Sequence, residues 1–483
     1  MGSAISGTKD SFSTHDFSGR NMHRISFKNR DSVDMTRGNI LRHLIIFSVP
    51  LLVGNLFQQL YNTVDSWVVG NYVSNEAFSA VGTVSPIINL LIGVFMGFSS
   101  GASVVISQYF GAKKYDRVKS AVHTTALMTI LLSVVFTIAG ILMTPVMLRF
   151  MRTPDNVFPE SQTYLTIYFS GMAALLIYNM GSSILRAIGD SLRPFYFLVA
   201  CCLTNIALDF VFVLVFHMGV AGVAYATVIS ELVSALLVVI VLFRTDTCVK
   251  LVLKELRIDG EILRQTLNVG IPAAFQMGVT AFSNVFVQGY INQFGADFMS
   301  GWGAYLKVDN LMFLPMQSVA LAATTFVGQN LGNGDAKRAR EGTRSALIIS
   351  ASVTAFLSVI ILFTAPYLIR FFNPKEEVIR LGTFILHTIT PFTVCCCINQ
   401  VLAGSLRGAG NSHAPMVIML TSFVVFRQIY LFTLTRLIGN TQTVVTLAYP
   451  AGWVLCSTLI LIYYLKHVPN RTELNLHAPA SES

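Results

Sequence analysis

Charge is scarce in this chain. Only 12% of its 483 residues are Asp, Glu, Lys or Arg, against 53% hydrophobic, and a soluble domain of this length cannot build a polar skin from so few ionised side chains. Cysteine is sparse too. Most of the seven lie inside or beside apolar runs (Cys201, Cys202, Cys395, Cys396, Cys397, Cys456) without metal-ligand spacing, which leaves no disulfide framework and makes them small buried apolar residues. No glycine loop of the phosphate-binding kind occurs, so ATP is not the energy source. His123, His217, His387 and His413 are scattered without the spacing of a nucleophile or base constellation, which argues against an enzyme such as a membrane acyltransferase. No catalytic residue, cofactor or resident metal is expected. The ~10-residue alternating segments of a transmembrane β-barrel are missing as well.

What the chain has instead is long apolar runs. They fall near 43–70, 81–110, 120–144, 161–185, 194–216 and 219–243, and again near 267–291, 303–330, 343–364, 378–404, 413–437 and 444–466. Each suits a bilayer core of ~30 Å, which about 20 helical residues cross. The expected fold is an all-α polytopic membrane protein of 12 transmembrane helices in two six-helix lobes. The expected divisions are a cytoplasmic tail over 1–42, an amino-terminal lobe over 43–243, a linker over 244–266, a carboxy-terminal lobe over 267–466 and a second tail over 467–483. Residues 1–38 are polar with no apolar centre, so they read as a tail and not as a cleaved signal peptide.

The net charge of +9 would suit nucleic acid if it were clustered. It is distributed over short loops instead, which is a topology signal. One set of span ends holds Arg30, Arg37 and Arg42; Lys113, Lys114, Arg117 and Lys119; Arg186 and Arg193; Lys250, Lys254, Arg257 and Arg264; Lys337, Arg338, Arg340 and Arg344; and Arg407. At the opposite ends Arg149, Arg152, Arg370, Lys375 and Arg380 are offset by Asp155, Glu160, Glu376 and Glu377. The positive-inside rule places both termini in the cytoplasm.

The halves are copies. ISQYFGAKKYDR (106–117) aligns with VGQNLGNGDAKR (327–338), and LRAIGDSLRP (185–194) with LRGAGNSHAP (406–415). Pro145, Arg149 and Phe150 match Pro366, Arg370 and Phe371, all at a separation of 221, while Pro50 and Pro272 differ by 222. An even number of spans per copy keeps both copies facing the same way, which implies a pseudo-twofold axis along the membrane normal.

Polar groups inside the spans then mark a site. Asn205 and Asp209 lie four apart in FYFLVACCLTNIALDFVFVLVF (195–216) and share one helix face. An ionised carboxylate there costs at least ~2.5–3.5 kcal/mol on insertion scales and normally faces a protein interior or a wet cavity. In the first span Asn55, Gln58, Asn62 and Asp65 fall within about 80° of one another. Depth brings the two together: Asp209 lies ~12 Å below the outer face by helical rise, and Thr227 in the sixth span and Asp65 in the first reach the same level. Two carboxylates, an amide and a hydroxyl suit a proton or a small hard cation such as Na⁺. Glu231 sits one turn deeper than Thr227, where pairing with cytoplasmic groups is the favoured reading. In the second copy Val287 stands against Asp65 and Tyr430 against Asp209, so the cation site is expected in one lobe only. Arg427, Lys307 and Asp309 of that lobe read as a local ion pair or snorkelling side chains, and Arg186 and Arg407 as caps or interface anchors.

The twofold six-span repeat, the VGQNLGNGDAKR-type and LRGAGNS-type loops, YNTVDSWVVG in the first span and TNIALDFV in the fifth together resemble the MATE (multidrug and toxic compound extrusion) family over nearly all of residues 40–466. The DinF-like and MepA-like branch is the nearer one. It carries a first-span Asp, an Asn-x-x-x-Asp pair and a sixth-span Thr that bind the coupling cation, matched here by Asp65, Asn205, Asp209 and Thr227. Pro50 matches a proline proposed to bend the first helix, and Gln58 and Asn62 fall where they would line the cavity or gate. The NorM-like branch instead has a glutamate eight residues after the seventh-span proline, where this chain has Thr280. The resemblance implies efflux of amphipathic, often cationic drugs in exchange for H⁺ or Na⁺ across the plasma (inner) membrane, by a monomer with the bilayer and small molecules as its partners. A lipid-linked precursor flippase of the wider superfamily is the alternative.

Overall fold

The computed structural model describes residues 33–467 apart from Arg152. Most of the first tail (1–32), Arg30, Arg152 and the second tail from residue 468 lie outside the described residues. The amino-terminal half is α1 (Ile40–Tyr72), α2 (Asn75–Gly111), α3 (Tyr115–Phe150), α4 (Phe158–Ser170), α5 (Met172–Ala187), α6 (Leu192–Phe210) and α7 (Gly219–Arg244). The carboxy-terminal half is α8 (Gly260–Ile291), α9 (Ala296–Gly332), α10 (Ala336–Phe372), α11 (Glu376–Ile389), α12 (Thr393–Gly408), α13 (His413–Leu420), α14 (Arg427–Leu437) and α15 (Gln442–His467). Among the described residues, eleven helical stretches are long and apolar enough to cross a membrane, twelve when α4 and α5 count as one bent span. No strand occurs among the described residues. The longest helices, such as the 37-residue α2, α9 and α10, rise ~55 Å and outrun the ~30 Å apolar core. They therefore start six or seven residues before the apolar runs, and α10 also ends eight residues beyond its run.

The fourth span is not one straight helix. It breaks at Gly171 with a bend of 47°, where a Cβ would stand 2.4 Å from Val228 of α7. The same place in the second copy, 221 residues on, is a 3₁₀ turn over Thr390–Phe392, and there Pro391 supplies the break by lacking an N–H donor. Loop geometry repeats as well. Lys113 and Gly334 have φ of 58° and 79°, and Gly189 and Gly410 have φ of 88° and 81°. A lysine in the left-handed region is uncommon; its glycine counterpart carries no such strain.

The halves touch most closely at their basic ends. A Cβ on Gly111 would meet the Gln329 carbonyl at 1.9 Å, and one on Gly332 the Gln108 carbonyl at 2.0 Å. About three turns back along α2, a Cβ on Gly101 would stand 2.4 Å from the Thr266 carbonyl oxygen, and one on Gly97 2.3 Å from the Ala274 backbone nitrogen. Toward the opposite ends of α2, α8 and α9, Gly82, Gly289 and Gly303 face nothing within 4 Å. The lobes thus meet at one end of the molecule and part at the other.

The first helix of each copy crosses this interface. In α1, Leu44, Phe47 and Leu51 pack into a core with Val319, Ala322, Phe326 and Val401 of the other half, whereas Val68 and Val69 pack with Tyr164, Phe169 and Leu175 of their own. α8 does the reverse: Ile262 joins the amino-terminal core, and Val287 and Ile291 join the carboxy-terminal one. Pro50 lies at the crossover of α1 and Pro272 lies inside α8.

The linker carries a single 3₁₀ turn, Leu253–Glu255, and is stitched to α3. The Val252 amide donates to His123 Nε2 at 3.1 Å, and His123 Nδ1 lies 2.6 Å from the Lys119 carbonyl. Ion pairs join Lys119 to Glu255 (2.6 Å) and Arg117 to Asp259 (3.2 Å). At the opposite end of the molecule three cations are neutralised in ion pairs: Lys375 with Asp297 at 2.6 Å, Arg370 with Glu376 at 2.8 Å and Arg380 with Glu377 at 2.6 Å.

Candidate functional site

α1, α6 and α7 bring Asp65, Asn205, Asp209 and Thr227 into one buried cluster. Asn205 and Asp209 are fully buried, and Asp65 and Thr227 are 6% and 5% exposed. Asp65 has the side chains of Asp209, Asn205 and Thr227 as its polar neighbours. The Thr227 hydroxyl has one proton to give. It donates to the Val223 carbonyl at 3.0 Å, and Asp65 Oδ2 is only a distant second acceptor at 3.5 Å. Asp65 Oδ1, both amide atoms of Asn205 and both carboxylate oxygens of Asp209 are left with no hydrogen-bond partner.

Native interiors satisfy nearly all buried polar atoms, and each exception asks for a missing proton, ion or water. Five such atoms converge here, four of them oxygens. The set fits a proton shared between carboxylates or a small cation held by oxygen donors. α6 ends one residue after Asp209, and a π-helical turn, Val211–Val215, carries the span on. Such turns recur at functional sites because the widened ladder re-aims side chains. Nothing in the apolar sequence VFVLV signals it.

The other singled-out residues divide. Asn55 and Gln58 line a cavity of about 130 Å³ between the halves, together with Tyr61, Glu231, Arg186 and Ser318, and the Asn55 amide reaches Ser318 Oγ at 3.5 Å. Pro50 is buried, whereas Asn62 is exposed. Glu231 has no ion pair among the described residues, contrary to the pairing with cytoplasmic groups expected of it. Neither Arg186 nor Arg407 caps a carbonyl among the described residues; Arg186 turns into the cavity, where its Nε has no partner.

The expected carboxy-lobe ion pair is also corrected. Arg427 donates to Ser283 Oγ (3.0 Å) and Asn284 Oδ1 (2.7 Å) and lies 4.8 Å from the Tyr449 ring centre. Lys307 is exposed and Asp309 half-buried beside Tyr305. Neutral acceptors and a π face hold that guanidinium in place of a carboxylate.

A duplicated bundle of membrane-crossing helices, closed at one end, open at the other and carrying acids buried in one half, is the architecture of a membrane transporter. The MatE family model matches residues 50–211 and 272–433, once in each half, and the chain belongs to that family. Among curated relatives it is 29% identical over 431 residues to the probable multidrug resistance protein YpnP of Bacillus subtilis, covering 89% of this chain and 96% of that one. It is 27% identical over 440 residues to the probable multidrug resistance protein NorM of Thermotoga maritima, covering 88% and 92%. It is 22% identical over 434 residues to the multidrug export protein MepA of Staphylococcus saprophyticus, covering 89% and 95%. Among solved structures, a MOP superfamily transporter from Pyrococcus furiosus superposes with a TM-score of 0.87 at 21% identity, over 92% of this chain and 99% of that one.

Proposed function

We propose that this protein is a secondary antiporter that exports amphipathic, often cationic small molecules in exchange for H⁺ or Na⁺. The observation that carries the reading is the convergence of five unpartnered buried polar atoms on Asp65, Asn205 and Asp209, in a family whose named relatives include multidrug export proteins. Two facing carboxylates repel when both are ionised. A proton, or a Na⁺ shared with Asn205 and Thr227, removes that repulsion and draws the outer part of α1 toward α6 and α7.

The inner part of α1 is held in the opposite lobe by Leu44, Phe47 and Leu51, so the movement concentrates at Pro50, which leaves the Ile46 carbonyl without its helical donor. Bending there reshapes the space between the lobes and weakens the hold on a bound cation-like substrate. Linkage makes the effect reciprocal, so substrate expels the coupling ion by the same factor. With the basic ends in the cytoplasm, the parted ends face outward and this conformation is the outward-open one. The divisions at 43–243, 244–266 and 267–466 are then two moving bodies and the strap between them.

The flippase alternative needs free cations to grip a pyrophosphate. Arg427 is engaged by Ser283, Asn284 and Tyr449, and Arg186 shares its cavity with Glu231. The deciding experiment is efflux of ethidium from proteoliposomes with pH and Na⁺ gradients imposed one at a time. Acceleration by one of them is expected, and indifference to both would end the antiport reading.

A further inference from the structure

The first and sixth spans run antiparallel, and their polar residues form two rungs. Asp65 and Thr227 make the outer rung. Four residues toward the basic end on each helix stand Tyr61 and Glu231, one turn or ~6 Å deeper. Glu231 is 7% exposed, lines the cavity with Gln58, Tyr61, Cys201 and Arg186, and its carboxylate accepts no hydrogen bond and joins no ion pair among the described residues. An unpaired carboxylate at this depth is costly to keep without a function. The matching position in the second copy, 221 residues on, is Gly452, where a Cβ would stand 3.3 Å from the Ser422 carbonyl. The inner rung, like the outer, exists in one lobe only.

We propose that Glu231 is a second proton-binding site, an inner station between the Asp65–Asp209 pair and the basic end of the molecule. This rests on the antiport reading above. The ligand is a proton and not a metal cation because the inner rung offers one carboxylate, where Na⁺ needs several oxygens. The titratable and charged groups facing it are Asp65 and Tyr61 from α1, Tyr164 and Tyr168 from α4, Arg186 from the end of α5 and Cys201 from α6. Tyr61 has both Glu231 and Asp65 among its charged neighbours. Its hydroxyl passes one proton on as it accepts another and ends unchanged, and the cavity of about 130 Å³, with Gln58, Asn179 and Ser234 in its wall, has room and polar partners for waters to complete the path. Net, one proton leaves one carboxyl and one carboxylate gains it.

The test uses the purified full chain. On titration from about pH 9 to about pH 5, Glu231→Gln should take up one proton fewer than the unmodified protein, and Glu231→Asp the same number. In proteoliposomes, ethidium transport driven by a pH gradient should fall roughly 10²-fold in Glu231→Gln, with Glu231→Asp recovering much of it. Tyr61→Phe should keep the proton count and lose the driven rate, which keeps the proposal testable if Glu231→Gln folds poorly. An unchanged count or an unimpaired driven rate in Glu231→Gln overturns the inner station. A silent Asp65→Asn beside a fully active Glu231→Gln would overturn it while leaving the antiport reading intact. Indifference of the unmodified protein to pH but not to Na⁺ overturns the inner station alone, and indifference to both gradients overturns the antiport reading with it.

Discussion

Gln108 and Gln329 make the same hydrogen bond in opposite directions across the lobe interface. Gln108 Nε2 donates to the Gly408 carbonyl at 3.0 Å, and Gln329 Nε2 donates to the Ala187 carbonyl at 2.9 Å. Donors and acceptors alike are 221 residues apart, so the contact obeys the pseudo-twofold axis. Each glutamine also offers its backbone to the other motif's glycine, Gly332 against Gln108 and Gly111 against Gln329. The motif recognised as a repeat is thus the seal that closes the basic ends.

Opening that end must break both bonds and part both glycines. Each hydrogen bond contributes about 1 kcal/mol net, so Gln108→Ala with Gln329→Ala should shift the population toward the state parted at this end by roughly 5–30-fold. Gly111→Val should act more strongly, because even a Cβ there stands 1.9 Å from a carbonyl oxygen. Spin labels on Lys114 and Lys337 report the separation. Unchanged distance distributions in both variants would remove the seal from the mechanism.

The second prediction concerns the buried acids. Asp65→Asn and Asp209→Asn should abolish ion-coupled efflux while the protein still inserts and remains monodisperse, since an amide has nearly the same volume and no charge to bury. Lys307→Gln should retain coupled transport. Arg427→Gln should retain part of it, with a loss of stability of about 1–3 kcal/mol from the lost charge-assisted hydrogen bonds to Ser283 and Asn284. Coupled efflux by Asp65→Asn at the unmodified rate would move the site elsewhere.

Much of this was legible in the chain itself. Acids in apolar spans are conspicuous, and helical rise alone brought Asp65, Asn205, Asp209 and Thr227 to one level. The break at Gly171 was not legible, because its cause is the approach of Val228 from a helix 57 residues away in sequence. Nor were the partners of Gln108 and Gln329, which exist only while the basic ends are closed. Glu231 was read as pairing with cytoplasmic groups, and only packing reveals that it faces the cavity with no ion pair among the described residues. Asn62 shares a helical stripe with Asp65, yet it is exposed; periodicity gives direction around a helix but not what stands opposite.

A third prediction follows from the crossover of α1. Pro50→Ala restores the missing N–H and removes a steric clash, so the helix straightens and stiffens; an interior proline costs a helix ~3 kcal/mol. Thermal stability should hold or rise, ethidium binding should persist, and transport should fall several-fold because the conformational step slows. Pro272→Ala, on the helix without acids, should have the smaller effect. Equal losses from the two would place the bending in both lobes.

The last prediction separates proton coupling from a trivial effect of acid on the closed end. Val33–Gly38 straps the two halves together there: the Val33 amide donates to the Ile188 carbonyl at 3.2 Å, and the Met35 amide to Gln329 Oε1 at 3.0 Å. Asp34 shapes the strap by accepting from the Thr36 amide at 2.9 Å and from its hydroxyl. Partial burial pushes the Asp34 carboxyl up, but the Thr36 hydrogen bonds and the charges of Lys113 and Arg37 outweigh it and hold the group below its ordinary 3.8. A lowered folded-state value stabilises the strap fully above 3.8, and that contribution fades as pH falls through the lower value. Asp34 therefore adds no pH dependence to the strap over the range in which transport is driven. A fluorophore on Asp34→Cys would remove the group in question, and one on Lys113 or Arg37 would remove a charge that holds it low, so the label belongs on the exposed Lys114. Its emission should stay constant from about pH 8 to about pH 5 while ethidium affinity changes with pH. Emission and affinity moving together over that range would assign the pH dependence to strap release and not to Asp65 and Asp209.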